Sequence, residues 1–323
     1  SQNSGRFTSS IIHKGGVSRI CALNDKGDYV SVSRYGEITQ WNYASGKWDK
    51  QLLSSNSACS YRDMCIDGEG VIYALSYNGL LQSVVGKQVA QPITLPESKG
   101  WTRLFPIGNN RLLLSSASSL YIFDTVSRMV VASIQVPQEI TTLGKKGDRV
   151  MVFGKKGGIW SVGKDAKLKA EEISTRGIVT AFTWYKEKNL SAIGLENGDI
   201  LVFDASGNSR GKLVGHSSRV TDLHFVDNFL FSSSYDRVVN IWDVNATNSE
   251  AVSINDFTSW VYCMCSNDKK ALFIGEQSGK VSRIVVSPSE MAKTIHSNLK
   301  RDFTDDEWAY YVGKNVPRIK LKN

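Results

Sequence analysis

Short apolar segments recur along the chain at a nearly constant interval. In the first pattern an apolar residue, often followed by Ser or Thr, precedes a second apolar residue by three positions. Its first residues, which we call the anchors, are Val17, Tyr61, Trp101, Ile140, Val179, Val220 and Val261. Successive anchors lie 44, 40, 39, 39, 41 and 41 residues apart. A second pattern of turn residues keeps step with the first at Gly36, Gly79, Ser118, Gly157, Gly198, Arg237 and Gly279. Two patterns in phase through seven copies indicate an internal repeat.

Each repeat contains several short segments with the alternation of β-strands. The sixth unit is the clearest, with strand-like segments at 219–226, 229–234, 238–244 and about 251–254. Four strands in about 40 residues are typical of one blade of a β-propeller, in which neighbouring blades cover each other's faces. Seven copies therefore predict an all-β fold, a seven-bladed propeller.

The two ends of the chain predict how the ring closes and where it stops. Residues 6–12 precede the first unit, have strand character, and are expected to form the outer strand of the last blade. The propeller is expected to cover residues 1–287. A short helical tail is expected over 288–323, because Thr304 and Glu307 have the spacing of a capping box.

The sixth unit resembles the WD-repeat family at residue level. It carries Gly215-His216 before its first strand and Trp242-Asp243 at the end of its third. The resemblance implies a buried hydrogen-bonded set that joins the strands of the blade. In this sequence the set would be His216, Ser232 or Ser234, Asp236 and Trp242. The other units match less closely: Tyr35 stands where the sixth unit has Asp236, so the set is not expected in every blade.

A second resemblance concerns the tail. Residues 301–313 are similar to the closing segment of bacterial WD-repeat proteins, in which the propeller is often the C-terminal part of a larger signalling NTPase of the signal-transduction ATPase type. This resemblance implies a bacterial sensor or recognition module whose partners include upstream domains of the same polypeptide.

Composition is that of an ordinary globular protein, with 41% hydrophobic and 22% charged residues and a net charge of +8. No apolar run is long enough to cross a membrane, and the polar first residues contain no signal segment, so no membrane partner is expected. Five cysteines without disulfide or zinc spacing favour a reducing, cytoplasmic compartment and no metal.

Three of the cysteines occupy one equivalent place. Cys21, Cys65 and Cys265 each lie four residues after an anchor, in the first, second and seventh units. Cys can serve there as a small apolar core residue. The alternative is a thiol cluster, since these units are neighbours in a closed ring.

Catalytic motifs are missing from the sequence. It contains no phosphate-binding P-loop, no zinc-protease motif and no nucleophile elbow. The glycine-rich run 154–158 is interpreted as a hairpin turn, because no helix follows it. Asp63 and Asp222, each two residues after an anchor, are the strongest carboxylate pair for a propeller enzyme. We predict a chain that is not an enzyme and has no cofactor, with the propeller enzyme as an alternative.

Aromatic and arginine residues collect on the face that carries the His-bearing loops. These residues are Tyr35, Tyr61, Arg62, Tyr77, Trp101, Arg103, Tyr235 and Trp260. Tyr, Trp and Arg dominate the energetics of protein–protein interfaces. The pattern predicts a scaffold that binds a protein or peptide partner on this face.

Basic residues concentrate in the fourth unit, where residues 139–170 carry a net charge of +5. The lysines expected on one face are Lys145, Lys146, Lys164, Lys167 and Lys169. Such a patch attracts phosphates or acidic surfaces. Binding of nucleic acid or an acidic partner is therefore the alternative function.

Overall fold

In the computed structural model each repeat of the sequence folds into its own antiparallel sheet. The structure describes residues 10–24, 27–44, 47–97, 99–171, 175–245, 250–266, 271–286 and 304. The chain divides into two units, Ser1–Ile284 and Val285–Asn323, and almost all described residues belong to the first. Apart from Thr304, the predicted helical tail at 288–323 lies outside the described residues, and the boundary at 287 stays a prediction.

The described residues form 29 strands, numbered along the chain and grouped into seven sheets that we call blades one to seven. Blade one contains β2 (Val17–Ala22), β3 (Asp28–Ser33), β4 (Glu37–Ala44) and β5 (Lys47–Ser55). Blade two contains β6 (Tyr61–Ile66), β7 (Ile72–Ser76), β8 (Leu80–Val85), β9 (Gln88–Val89) and β10 (Ile93–Thr94), and the last two both pair with β8. Blade three contains β11 (Trp101–Gly108), β12 (Arg111–Ser116), β13 (Ser119–Asp124) and β14 (Met129–Gln135).

The remaining blades follow the same order. Blade four contains β15 (Ile140–Lys146), β16 (Arg149–Gly154), β17 (Ile159–Val162) and β18 (Leu168–Ala170). Blade five contains β19 (Val179–Tyr185), β20 (Leu190–Leu195), β21 (Ile200–Phe203) and β22 (Ser209–Leu213). Blade six contains β23 (Val220–Val226), β24 (Phe229–Ser234), β25 (Val239–Asp243) and β26 (Val252–Ile254). Blade seven contains β27 (Val261–Cys265), β28 (Ala271–Glu276), β29 (Lys280–Val285) and, from the other end of the chain, β1 (Ser10–Ile12). The all-β, seven-bladed fold predicted from the repeat is confirmed.

The first strand of the chain completes the last blade. β1 runs antiparallel to β29 with Ile11 opposite Val281, and the N–H of His13 donates to the carbonyl of Gly279 at 2.8 Å. Of the segment 6–12 that was expected in this place, the structure describes residues 10–12. Blade seven therefore contains strands from both ends of the propeller.

Apolar side chains are buried between blades rather than inside any one sheet. Every residue of β20 and β28 is buried, whereas the outer strand β22 is largely exposed. Since a middle strand has a neighbouring blade on each face, its sequence is a mostly apolar run instead of an alternation. Between blades seven and one, for example, Trp41 packs edge-on against Phe273 at 4.8 Å between ring centres.

Tight turns connect the second and third strands of each blade. Gly36 has a φ of 80°, and a Cβ atom there would lie 1.8 Å from the carbonyl oxygen of Asn56, so both conformation and space require glycine. The run 154–158 forms such a turn, with the N–H of Gly154 bonded to the carbonyl of Gly158, and the hairpin prediction is confirmed. Within the described part of the chain, no helix is long and apolar enough to span a membrane.

Every first strand carries a β-bulge at the same place. The register between first and second strands shifts directly after each of the seven anchors, so the next residue has no partner across the sheet. A bulge redirects the side chain of its unpaired residue. We call these the bulge residues: Ser18, Arg62, Thr102, Thr141, Thr180, Thr221 and Tyr262.

Some bulge residues fasten one blade to the next. Their hydroxyl groups donate to the carbonyl oxygen of the following anchor at three junctions: Ser18 to Tyr61 at 2.7 Å, Thr180 to Val220 at 2.6 Å and Thr221 to Val261 at 2.7 Å. At the closing junction the thiol of Cys263 donates to the carbonyl of Val17 at 3.6 Å. A buried hydrogen bond of this kind contributes about 0.5–1.5 kcal/mol.

Replacing Thr180 by Val tests the importance of these junctions. The substitution keeps the volume but leaves the Val220 carbonyl without its donor, so we expect a loss of about 1–2 kcal/mol in the free energy of unfolding. Urea unfolding measures the change. Thr102→Val is the matched control, because its exposed hydroxyl bonds only to Ser115 within the same blade; we expect a change within about 0.5 kcal/mol. Equal losses in the two variants would contradict the inter-blade role.

Candidate functional site

Two kinds of connection meet on one face of the propeller, which we call the top face. They are the loops between blades and the turns that follow each second strand. Backbone bonds join them in six of the seven blades: for example, the N–H of Arg34 donates to Gly16 at 2.9 Å, and the N–H of Tyr77 donates to Ser60 at 2.9 Å. Residues that start a first strand and residues that follow a second strand therefore lie side by side.

A cavity of about 360 Å³ opens at the centre of this face, and we call it the top mouth. All seven bulge residues line it. The other lining residues are Arg34, Tyr77, Trp101, Arg103, Arg219 and Tyr235. The bulge turns one side chain of every blade toward the mouth. Residues from all seven repeats therefore determine the chemistry of the mouth.

The charge of the top mouth is one-sided. Four arginines line it, and no described Asp or Glu does. The Arg34 guanidinium lies 4.1 Å from the ring centre of Tyr262, and that of Arg62 lies 4.9 Å from the ring centre of Tyr77. Such stacking holds a guanidinium by its face and leaves its N–H edge available. The mouth thus presents fixed, positively charged hydrogen-bond donors.

Two of these arginines have unmet hydrogen-bonding capacity. The Nε atoms of Arg34 and Arg62 are buried, and neither has a hydrogen-bond partner within the described ranges. Burial lowers the pKa of Arg62, and the neighbouring charge of Arg34 lowers it further. Buried donors without partners are rare in folded proteins and point to a functional role or a bound group.

Aromatic side chains surround the mouth, and we call Tyr35, Tyr77, Tyr235 and Trp260 the aromatic rim. Tyr235 stacks on Trp260 with ring centres 4.8 Å apart. Tyr35, Tyr77 and Trp260 are 67%, 40% and 43% exposed. Together with Arg62 and Arg103, which line the mouth, they are the top-face residues that the structure places as the sequence predicts; their role in binding stays a prediction.

Tyr61 and Trp101 were expected to offer exposed contact surface on the same face, and this expectation is wrong, although Trp101 lies behind the wall of the top mouth. Both side chains are fully buried. The anchor position points into the core between blades, where Trp101 packs on Tyr121 at 4.9 Å and its Nε1–H donates to the carbonyl of Glu97 at 2.8 Å. Aromatic anchors fill space that other blades fill with aliphatic side chains, and they cannot contact a partner.

Sequence reasoning missed Arg34, Arg219 and Tyr262. Arg34 directly follows a second strand, Arg219 directly precedes an anchor, and Tyr262 is a bulge residue. Their positions relative to the repeat were readable from the sequence. The bulge was not, because a regular alternation would put the residue after an anchor on the other side of the strand.

The middle of the channel holds a network of opposite charges. Arg19 Nε lies 2.7 Å from Asp63 and its Nη1 lies 3.5 Å from Asp222, while Arg103 lies 3.6 Å from Asp63. Asp63 also accepts the N–H of Leu104 at 3.0 Å. Burial would lower the pKa of Arg19, but Asp63 and Asp222 outweigh it and raise that pKa. Both carboxylates thus accept hydrogen bonds from arginine or the backbone, and burial raises the pKa of Asp63.

Below this network lies a second cavity of about 550 Å³, lined in part by Cys21, Cys65 and Cys265. Burial raises the pKa of Cys21 to about 12 and also raises the pKa values of Cys65 and Cys265. These thiols stay protonated near neutral pH and are poor metal ligands. In the described ranges all five cysteines are free, and no cluster of metal-ligating residues is present.

A hydrogen-bonded set joins the strands of blade six. His216 Nδ1 lies 2.9 Å from Asp236, and His216 Nε2 lies 2.8 Å from the hydroxyl of Ser232. The indole N–H of Trp242 donates to the same hydroxyl at 2.8 Å. A carboxylate only accepts, so Nδ1 carries the proton and Nε2 accepts from Ser232. Burial would raise the pKa of Asp236, but His216 and backbone N–H groups outweigh it and lower that pKa.

Ser234 has a different role from Ser232. Its hydroxyl donates to the carbonyl of Ser218 at 3.0 Å and accepts the N–H of Asp236. Of the two serines that the resemblance offered, Ser232 occupies the set, and Ser234 holds the adjacent loop.

Blade one contains an equivalent set, although Tyr35 stands where blade six has Asp236. His13 Nε2 lies 2.8 Å from the Ser31 hydroxyl, which also accepts the Trp41 indole N–H at 2.9 Å. Glu37 replaces the missing aspartate: its carboxylate lies 3.4 Å from His13 Nδ1 and accepts the N–H of Lys14. Glu37 lies two residues after Tyr35, the residue at the aspartate position. Its side chain is longer than that of aspartate and reaches the imidazole of His13.

The lysines of blade four gather away from the top mouth. Lys145 Nζ donates to the carbonyl of Pro106 at 2.6 Å, and the Lys164 side chain lies against Gly108. Burial lowers the pKa of Lys145, and Lys164 is close enough to lower it further. Lys146 is half-buried, Lys167 and Lys169 are exposed, and Lys169 Nζ lies 3.8 Å from Asp165.

Comparison with known proteins agrees with this architecture. Residues 207–243, which include most of blade six, match the WD domain, G-beta repeat family. The WD40 β-propeller domain of Doa1 superposes with a TM-score of 0.73 at 16% identity, covering 88% of this chain and 97% of that one. The chain is thus a seven-bladed β-propeller with a WD40 repeat.

Curated relatives match over shorter stretches. DDB1- and CUL4-associated factor 10 of Xenopus laevis is 28% identical over 90 residues, which are 27% of this chain and 20% of that protein. WD repeat and SOCS box-containing protein 1 of Xenopus tropicalis is 27% identical over 103 residues, which are 31% of this chain and 24% of that protein. The chain therefore matches about a quarter or less of the length of these relatives, and both are eukaryotic proteins.

Asp236→Ala tests the set in blade six. The substitution leaves the buried N–H of His216 without an acceptor, so we expect a loss of about 1–3 kcal/mol in the free energy of unfolding. Asp204→Ala is a matched control, because that carboxylate accepts its hydrogen bonds, from backbone N–H groups and the Asn208 side chain, in an exposed turn; its loss should be clearly smaller. Denaturant unfolding that gave the same small loss for both variants would refute the role of Asp236.

The set in blade one predicts a dependence of stability on pH. Burial, only partly offset by Glu37, lowers the pKa of His13 from 6.5 to about 4. Between these values the unfolded chain binds a proton that the folded chain does not, so stability is lost as pH falls through this window. A tenfold change in proton affinity is worth about 1.4 kcal/mol, so the loss amounts to about 3 kcal/mol.

His13→Asn removes this titration. Urea unfolding of both proteins at pH 7 and pH 4.5 should show a smaller loss on acidification in the variant, whatever its stability at pH 7. A residual loss is expected, since burial also lowers the pKa of His224. Identical losses in wild type and variant would show that His13 is not the group that titrates.

Proposed function

We propose that this WD40 propeller is a non-enzymatic interaction scaffold that docks a protein or peptide segment on its top face. The observation that carries the proposal is the combination of the arginine-lined top mouth with the exposed aromatic rim. Partly exposed Tyr and Trp side chains offer large, rigid contact area, and arginine adds directed hydrogen bonds. Residues from all seven blades line the mouth, so a ligand there contacts a preformed surface.

The scaffold reading also agrees with the chemistry of the channel. Asp63 and Asp222 are held by Arg19 and backbone N–H groups, which leaves no free carboxylate pair for acid–base catalysis in the described channel. The thiols nearby are protonated. WD40 propellers are generally binding scaffolds, and this site has the composition of a binding surface.

The relatives indicate a cellular setting for the proposal. One is by its name a factor associated with DDB1 and CUL4, and the other contains a SOCS box beside its WD repeats. We propose by analogy that this chain is an adaptor that presents a bound partner to a larger assembly, in the cytoplasmic compartment that its cysteines favour. The expected bacterial signalling NTPase context has no support among these eukaryotic relatives.

Nucleic-acid binding by blade four is the weaker alternative. Lys169 lies close to Asp165, and Lys155 forms a 2.8 Å ion pair with Glu139. The ammonium group of Lys145 donates to the backbone carbonyl of Pro106. Partial neutralisation of this kind reduces the number of phosphates that a patch can contact. In the top mouth Arg103 and Arg219 also lie near carboxylates, but Arg34 and Arg62 form no ion pair with a residue that the structure describes.

Selection of a random peptide library displayed on phage tests the proposal. We expect the propeller to enrich peptides whose binding falls about tenfold or more in the variant Tyr35→Ala/Trp260→Ala, because the variant removes two exposed ring contacts of the rim. Neither side chain lines the top mouth.

Val131→Ala/Phe229→Ala is the matched control for that selection. Both residues are exposed but lie away from the rim. Val131 lies on the outer strand β14, and Phe229 is the first residue of β24, whereas Tyr235 follows the last residue of that strand. The control should bind the selected peptides like the wild type. If peptides bind but the rim variant retains them fully, the top face is not the docking surface.

A further inference from the structure

Positive charge at the top mouth is balanced only in part by residues that the structure describes. Arg103 and Arg219 each lie within 4 Å of a carboxylate, at Asp63 and Glu196. Arg34 and Arg62 form no ion pair with any residue that the structure describes, although their Nε atoms are buried. Two guanidinium groups close enough to repel each other thus remain in the mouth without a counter-charge.

The surroundings of this pair are shaped for an anion with several oxygens. Tyr262 and Tyr77 hold the two guanidiniums by their faces, so the N–H edges are free to bind oxygen atoms. Hydroxyl groups of the bulge residues line the same cavity, but those of Ser18, Thr141, Thr180 and Thr221 already donate to backbone carbonyls, so the arginines are the donors that remain for a ligand. Two arginine edges in one cavity suit a strongly charged oxyanion.

We propose that Arg34 and Arg62 bind the phosphate group of a phosphorylated side chain in the docked peptide. The inference rests on the proposed function and specifies its ligand. A phosphate monoester carries a charge between −1.5 and −2 near neutral pH and has three acceptor oxygens (values that are about the same for Ser, Thr and Tyr). It can therefore balance both guanidiniums and bond to each, whereas a carboxylate has one charge and two oxygens.

A peptide fits the mouth better than a nucleic acid does. The cavity of about 360 Å³ has room for a side chain and a short stretch of backbone. The adjoining surface is the aromatic rim rather than an extended basic track, and extended tracks are what polyanions require. A single phosphate in the mouth with peptide flanks on the rim accounts for both features.

The arrangement predicts opposite effects on binding and stability. Removing Arg62 takes away a buried, unpartnered donor and a like-charge repulsion, which offset the lost stacking on Tyr77, so the fold should lose little stability. Replacing an arginine with a purely structural role would instead lower the stability of the fold and leave peptide binding unchanged. Arg283 provides the matched control, because its guanidinium also stacks on a tyrosine, 4.6 Å from the ring centre of Tyr43, but does not line the mouth.

Fluorescence anisotropy with oriented peptide libraries tests the inference. The probes are degenerate peptides with a fixed central phosphoserine, phosphothreonine or phosphotyrosine, and matched libraries with Ser, Thr, Tyr or Glu in that place. We expect at least one phosphorylated library to bind about tenfold or more tightly than its unmodified and Glu counterparts. Arg34→Gln and Arg62→Gln should each remove about tenfold or more of that affinity, with an unchanged or higher melting temperature, and Arg283→Gln should bind like the wild type.

The outcomes separate this inference from the proposed function. If phosphorylated and unmodified libraries bind equally and depend on the aromatic rim, the scaffold role stands and the phosphate site is refuted. Equal binding of the Glu library refutes a phosphate-specific site in favour of a carboxylate. If a single-stranded oligonucleotide binds in an Arg62-dependent manner while no phosphopeptide does, the peptide assignment is overturned. Binding of no library at all, with no peptide recovered on phage, contradicts the proposed function itself.

Discussion

Contact between neighbouring blades is the interaction on which the rest of this structure depends. A four-stranded sheet with two apolar faces, such as the one around the fully buried strand β20, cannot cover itself and is stable only between two neighbours. Blade seven meets this requirement through β1, which pairs with β29. The mouth exists only because the ring closes: Arg34 of blade one reaches its stacking partner Tyr262 in blade seven across that closing junction.

The bulge behind each anchor connects the scaffold to the binding surface. It frees one residue per blade from the sheet and turns that residue toward the mouth. Where the residue is Ser18, Thr180 or Thr221, its hydroxyl fastens the next blade. Arg62 and Tyr262 have no hydroxyl of that kind, and their side chains instead shape the charged, aromatic part of the mouth. One structural device thus serves stability in some blades and recognition in others.

The histidine sets show the same physical requirement met by different residues. A buried imidazole needs an acceptor for its N–H and a partner for its other nitrogen. Asp236 supplies the acceptor in blade six, and Glu37, at a different place in the repeat, supplies it in blade one. Residue-by-residue matching finds the first because it follows the family pattern. It misses the second, because only the folded chain shows that a longer side chain reaches the same nitrogen.

The sequence by itself determined the repeat and the seven blades, because the period and the turn residues are local properties of the chain. The set around His216 followed from the resemblance to the WD-repeat family, which left Ser232 and Ser234 as alternatives. The sequence also indicated which face is rich in Tyr, Trp and Arg. Tertiary structure alone decided which of those side chains are accessible: Tyr61 and Trp101 point into the core, whereas Arg34 and Tyr262 line the mouth. The reason is that a bulge breaks the alternation from which side-chain direction is read, and that the partners across blade junctions are distant in the chain.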